Sequence, residues 1–132
     1  MSRWMFFSLL LSIGQIGTAH AQGRRAVSAL PSRYACLQLN FAPGFLYEHP
    51  EVHIPAFAAP SSSAPVVGQA IEVMVARWPQ EPRNGFVEIQ RTQTSTVWVE
   101  ARFLKPWASS YGPPAHCQPS IMSDGSIGTR IR

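Results

Sequence analysis

Charge is scarce in this chain. Lys, Arg, Asp and Glu together make up 14% of its 132 residues, and Asp124 is the only aspartate. No pair of carboxylates at a working spacing is visible, and no phosphate-binding loop or metal cage. The three consecutive serines, Ser61, Ser62 and Ser63, lack the flanking glycines of a nucleophile elbow. The net charge of +4 comes from arginines scattered along the chain, such as Arg33, Arg77, Arg83, Arg91, Arg102 and Arg130. A dispersed excess of this size attracts anionic surfaces weakly and is not the clustered footprint of a nucleic-acid binder. Helical periodicity is missing outside the first residues, and so are internal repeats. These absences point away from catalysis and from cofactor or metal binding.

Long apolar runs are confined to the start. Met1, Ser2 and Arg3 precede an apolar run from Trp4 to Ile16, and Ala19-His20-Ala21 is a small-x-small cleavage site. This three-part pattern is that of a secretory signal peptide, residues 1–21, cut before Gln22. The run is too short for a membrane span, and no later segment is long and apolar enough for a stable one. The expected location is secreted or periplasmic. What remains is one small domain, residues 34–132, behind a flexible leader at 22–33.

Cysteine is nearly absent. Only Cys36 and Cys117 are present, one near each end of the domain. In an oxidising compartment the simplest arithmetic is one bridge between them. On the chain-entropy model such a long loop stabilises by roughly 4 kcal/mol. The bridge also claims the sulfur beside His116, which leaves no thiol for catalysis.

Period-two alternation is what the chain does have. In residues 86–91, Val87 and Ile89 oppose Phe86, Glu88 and Gln90. In residues 97–102, Val97, Val99 and Ala101 oppose Trp98, Glu100 and Arg102. The polar stretch 92–96 turns one strand into the other. Residues 70–76 alternate too, with Ile71, Val73 and Val75 on one face and Glu72, Met74 and Ala76 on the other. The expected core is Val73, Val75, Val87, Ile89, Val99 and Leu104. A first strand is expected over 34–39, an irregular loop over 41–50, and an edge or bulged strand over 52–57 because of Pro55. Asn84-Gly85 favours a left-handed turn. Residues 108–115 are too rich in Ser, Gly and Pro to be regular, and Asp124-Gly125 suggests a small terminal hairpin. Twelve prolines and nine glycines suit a β domain with many loops.

Three short motifs resemble those of bacterial SH3-like domains. The stretch PSSSAPVVG at 60–68 is similar to the loop that precedes a strand in that family. Asn84-Gly85-Phe86 is similar to its x-G-W strand opening, and Trp98-Val99 with Leu104 to its closing pattern. Val97 stands where the family usually has Gly, Phe86 where it usually has Trp, and 92–96 replaces its Asp-Gly turn. The resemblance covers about residues 50–107. It implies an all-β fold, a small SH3-like barrel; the irregular N- and C-terminal extensions, joined by the expected disulfide, lie outside the family's core. It also implies binding rather than catalysis, with a peptide, peptidoglycan or an envelope protein as partner.

The alternation places Phe86 and Trp98 on the outer face of such a barrel, with Phe103 following on the closing turn. Flanked by Glu88 and Arg102, they are the expected ligand-binding groove. The competing expectation is that these rings pack beneath loops and the tail, because aromatic rings are more often buried than functional. Trp78 and Trp107 are expected as lids on the core. His49 and His53 are four apart, but Pro50 and Pro55 forbid a helix there. On an extended chain they lie roughly 13 Å apart at about 3.3 Å per residue, too far for a metal pair. A small accessory subunit or inhibitor making contact through its loops is the rival to the binding module. A small secreted hydrolase is a third class, and would need His, Ser and an acid gathered in one pocket.

Overall fold

The computed structural model describes residues 23–109 and 115–132. The expected signal peptide, and residues 110–114 of the Ser/Gly/Pro-rich loop, lie outside the described residues. The regular structure of the described residues is almost wholly β-strand. Its strands are β1 (Ala26–Ala29), β2 (Tyr34–Leu39), β3 (Pro55–Phe57), β4 (Val66–Gln69), β5 (Val73–Arg77), β6 (Phe86–Gln90), β7 (Thr96–Glu100), β8 (Leu104–Pro106), β9 (Cys117–Met122) and β10 (Ile127–Ile131). One helical turn, α1 (Phe45–Glu48), interrupts the loop after β2, and a 3₁₀ turn (Ala101–Phe103) links β7 to β8.

Two antiparallel sheets result. The larger has the order β4-β3-β7-β6-β5-β2-β8, and the smaller has β1-β9-β10. The β6–β7 ladder pairs Val87 with Val99 and Glu88 with Trp98, which is the expected hairpin. The large sheet is strongly curled. Strands β7 and β8 stand four places apart in it, about 19 Å if it were flat. Only the three-residue 3₁₀ turn separates Glu100 from Leu104, and four residues of chain span at most about 14 Å. The sheet must therefore bend toward itself, although β4 and β8 do not pair with each other.

Turn chemistry supports the strand positions. Asn84 (φ 50°) and Gly85 (φ 78°) both adopt positive φ, and Arg83 and Phe86 exchange backbone hydrogen bonds of 2.9 and 2.8 Å. That is a type I′ turn. At the next turn the Thr92 hydroxyl accepts the amide of Ser95 at 3.0 Å, so side-chain bonding replaces glycine. The Asp124-Gly125 hairpin forms as expected. Gly125 has φ 82°, and Asp124 accepts bonds from the Ser126 amide and hydroxyl.

The main core lies inside the curl. It comprises Leu37, Leu39, Ile54, Ala56, Met74, Ala76, Val87, Ile89 and Val99. Of the expected core, Val87, Ile89 and Val99 sit here, and Leu104 packs half-buried at the rim. The face of β5 is reversed relative to expectation. Met74 and Ala76 point into the main core, Val73 is half-buried, and Ile71 is exposed. Val75 is nevertheless buried, because the smaller sheet covers the other face of β5. The bridge between Cys36 on β2 and Cys117 on β9 ties the two sheets together.

Two local expectations are corrected and one is narrowed. The expected flexible leader contains β1, whose Ala26, Ser28 and Ala29 pair with β9. Its strand is four residues long, too short for periodicity to be read. The C-terminal extension is more regular than expected, since the small hairpin about Asp124-Gly125 runs the length of β9 and β10 as far as Cys117 and Ile131. Finally, of the edge and bulged alternatives for β3 the bulged one holds, because its register with β4 shifts between Ala56 and Phe57 while the strand lies inside the sheet between β4 and β7. Pro55 is accommodated as its first residue, and Phe57, not Pro55, pairs with β7.

Candidate functional site

The expected groove residues separate in the fold. Phe86 and Trp98 do lie opposite the main core, as the alternation requires. They are not exposed, however, at 6% and 8% of their full area. Phe57 from β3 and Ala64 from the 58–65 loop cover them in a second, smaller core. Phe86 meets Phe57 edge-to-face at 5.6 Å between ring centres. An open aromatic groove built on Phe86 is therefore not formed. The covering segment enters from outside the hairpin, and alternation within a hairpin carries no information about it.

Phe103 belongs elsewhere. Its ring lies 6.3 Å from that of Phe41, and the Arg102 guanidinium caps it at 4.2 Å. Arg102 also pairs with Glu100 at 3.2 Å. Of the five expected residues, Glu88 and Trp98 alone come together at a concave surface. They stand directly opposite on β6 and β7, so both project to the same side of the sheet.

That concave surface is a groove of about 360 Å³ at the β5–β6 end, whose lining includes Arg33, Arg77, Trp78, Glu81, Arg83, Glu88 and Trp98. Each arginine comes from a different local structure. Arg77 closes β5, opposite Tyr34. Arg33 immediately precedes β2, and its carbonyl accepts the Trp78 amide at 2.6 Å, which fixes the indole's backbone. Arg83 is set by the type I′ turn. Its guanidinium lies 6.0 Å from the Trp98 ring centre, at the outer limit of a cation–π contact. Arg33 holds a similar position over Tyr34 at 5.5 Å.

Trp78 is 50% exposed and so is not a lid on the core. Among the described residues, no ion pair joins Arg33, Arg77 or Arg83 to a carboxylate. The ion pairs are Arg24–Asp124, His49–Glu51 and Arg102–Glu100. Sequence reasoning missed these four groove residues because they are scattered in number. The available signal was an arginine and a tryptophan adjacent in a Pro-rich loop.

A second groove, about 490 Å³, lies between α1 and β8 and is more apolar, with Phe41, Phe45, Tyr47 and Trp107 on its walls. Trp107 is half-buried there. Ser109 and Ala115 form part of its rim, where the described residues stop. The histidines stay apart, with His49 against Glu51 at 3.3 Å and His53 against Gln69 at 3.0 Å. Among the described residues there is no group of three His, Cys, Asp or Glu that could hold a metal. Asp124 is held below the usual carboxylate range, first by the Ser126 hydroxyl and then by the Ser126 amide, with Arg24 adding a smaller contribution. It serves the turn and lies outside either groove. Comparisons of the chain with family models, curated proteins and solved structures find no match.

Proposed function

We propose that this chain is a secreted or periplasmic, non-catalytic module with an SH3-like barrel, and that it binds a peptide, peptidoglycan or an envelope protein. The curl of the large sheet and the β7–3₁₀–β8 connection support the barrel. The disulfide fits an oxidising compartment. Among the described residues no helix is long and apolar enough to cross a membrane. The observation that carries the binding reading is the groove at the β5–β6 end, where a half-exposed indole stands among guanidinium groups without ion-pair partners. Its lining contains neither His nor Ser, which favours binding over hydrolysis.

A second reading, an accessory subunit or inhibitor that makes contact through its loops, is favoured by the burial of Phe86 and Trp98 under the 58–65 segment. On that side β4 leaves Val66 and Val67 exposed at a sheet edge. Such an edge can accept another strand.

One experiment separates the two. The protein is incubated with purified cell-wall sacculi and with envelope extract, alongside Trp78→Ala and Val67→Ser variants. The binding module is retained or captures a partner, and loses this in Trp78→Ala alone. Loss in Val67→Ser alone moves the contact to the β4 side. No retention and no capture overturns both readings.

A further inference from the structure

Resting on the proposal that the β5–β6 groove is the binding site, we infer that its ligand is an acidic peptide, held by carboxylates on Arg33, Arg77 and Arg83 against the Trp78 indole. Each guanidinium offers a planar fork of donors that matches a carboxylate with two parallel bonds. Among the described residues none of the three is engaged by an acid, although the protein has six glutamates and one aspartate. By contrast Arg24, Arg91 and Arg102 all have polar partners within the chain. Among the described residues Arg25, Arg130 and Arg132 also lack side-chain partners, but they lie apart, and Arg33, Arg77 and Arg83 are the three that line one concavity.

Their positions are set by backbone rather than by chance side-chain reach. The strand pairing of Tyr34 with Arg77, the bond from the Trp78 amide to the Arg33 carbonyl, and the Asn84-Gly85 turn behind Arg83 each fix one of them. Arg83 rests near Trp98 and Arg33 near Tyr34. Aromatic contact of this kind restrains a guanidinium without consuming its hydrogen-bond donors.

The same groove carries Glu81 and Glu88, and this narrows the ligand further. Three positive and two negative groups leave a small positive excess. A dense polyanion such as polyphosphate would meet repulsion from both glutamates. A peptide, whose carboxylates are spaced along a neutral backbone, can place acids on the arginines and avoid the glutamates. The half-exposed Trp78 ring supplies a flat apolar surface for the peptide between its charges.

The test uses the protein with its disulfide intact and fluorescence anisotropy of three probes: a short alternating Glu/Ala peptide, the matched Gln/Ala peptide, and inorganic tripolyphosphate as competitor. The Glu/Ala peptide is expected to bind roughly tenfold more tightly than the Gln/Ala peptide, and less tightly as salt rises. Arg77→Gln and Arg83→Gln should each weaken it about threefold to fivefold. Arg130→Gln, on the exposed end of β10, should leave it unchanged. Equal affinity for the two peptides would overturn the inference. So would an equal loss in Arg130→Gln, which would mean diffuse attraction, or displacement by tripolyphosphate at lower concentration than by unlabelled Glu/Ala peptide. If sacculi or an envelope partner are still bound through Trp78 while the Glu/Ala peptide is not, the acidic ligand falls and the binding module stands. If nothing is bound in either experiment, both fall.

Discussion

Met74 and Val75 are neighbours in sequence, point to opposite faces of β5, and are both buried, at 4% and 2% exposure. Met74 pairs with Leu37 in the main core. Val75 pairs with Cys36 on the side that β9 and β10 cover. A strand with one wet face would leave one of the two exposed. Here β5 lies between two layers, and this is why its alternation gives no safe indication of the core face. Truncation at either position should therefore destabilise. Val75→Ala is expected to cost about 1–3 kcal/mol and Met74→Ala about 2–5 kcal/mol, from the lost transfer energy and the cavity left behind. Urea unfolding monitored by fluorescence measures both. A change of a few tenths in Val75→Ala would mean that the smaller sheet does not seal this face.

Trp98 supplies a second prediction, and it reverses what alternation alone suggests. An outward-facing tryptophan could be removed with little effect on stability. The ring instead packs with Phe57 and Phe86, so Trp98→Ala should cost about 3–5 kcal/mol and lower the thermal midpoint clearly. Trp78→Ala, at an indole 50% exposed, should shift the midpoint little. Differential scanning calorimetry of the two variants side by side distinguishes the buried indole from the exposed one. Comparable midpoints would place Trp98 on the surface.

What the sequence makes legible here follows the range of each signal. The β6–β7 hairpin, the Asn84-Gly85 and Asp124-Gly125 turns and the core positions Val87, Ile89 and Val99 are written in local patterns. The pairing of Cys36 with Cys117 is legible because there are only two cysteines. Non-local coverage is not legible. Nothing within 86–102 announces that Phe57 and Ala64 will close over Phe86 and Trp98. Nothing near Ala26 announces a partner almost a hundred residues away, at Met122. The groove fails for the same reason, since Arg33, Arg77 and Arg83 meet only through the β2–β5 pairing and the turn at 84–85.

The disulfide carries a third prediction. It closes a separation of 81 residues and cross-links the two sheets. Replacing both cysteines by alanine should cost about 4 kcal/mol on the chain-entropy model, within the usual range for removal of a native bridge. The loss should be uneven. Strands β1, β9 and β10 contact the rest of the fold mainly through β2, β5 and the Arg91–Thr92 segment, so their amides should exchange with deuterium sooner than those of β6 and β7. Native mass spectrometry without reductant should find the chain two hydrogens light. Alkylation of both cysteines in the untreated protein would remove the premise.

Gly128 on β10 gives the last prediction. A side chain there would place its Cβ 2.8 Å from both Cγ and Sδ of Met122, closer than real contacts allow. Met122 is buried at 7% exposure, so its side chain has little room to swing away. The glycine is required by this close approach and not by its backbone angle, because β10 is ordinary extended strand. Gly128→Ala should destabilise by about 1–3 kcal/mol through overpacking. The mechanism makes a specific demand on the double variant. Shortening Met122 to alanine removes the clash, so Gly128→Ala should cost distinctly less in a Met122→Ala background than in the parent protein. The two effects would then be non-additive, as expected for side chains in direct contact. Strict additivity in a denaturation cycle would mean that Met122 does not fill the space above Gly128, and that the inner face of the β9–β10 hairpin is packed differently.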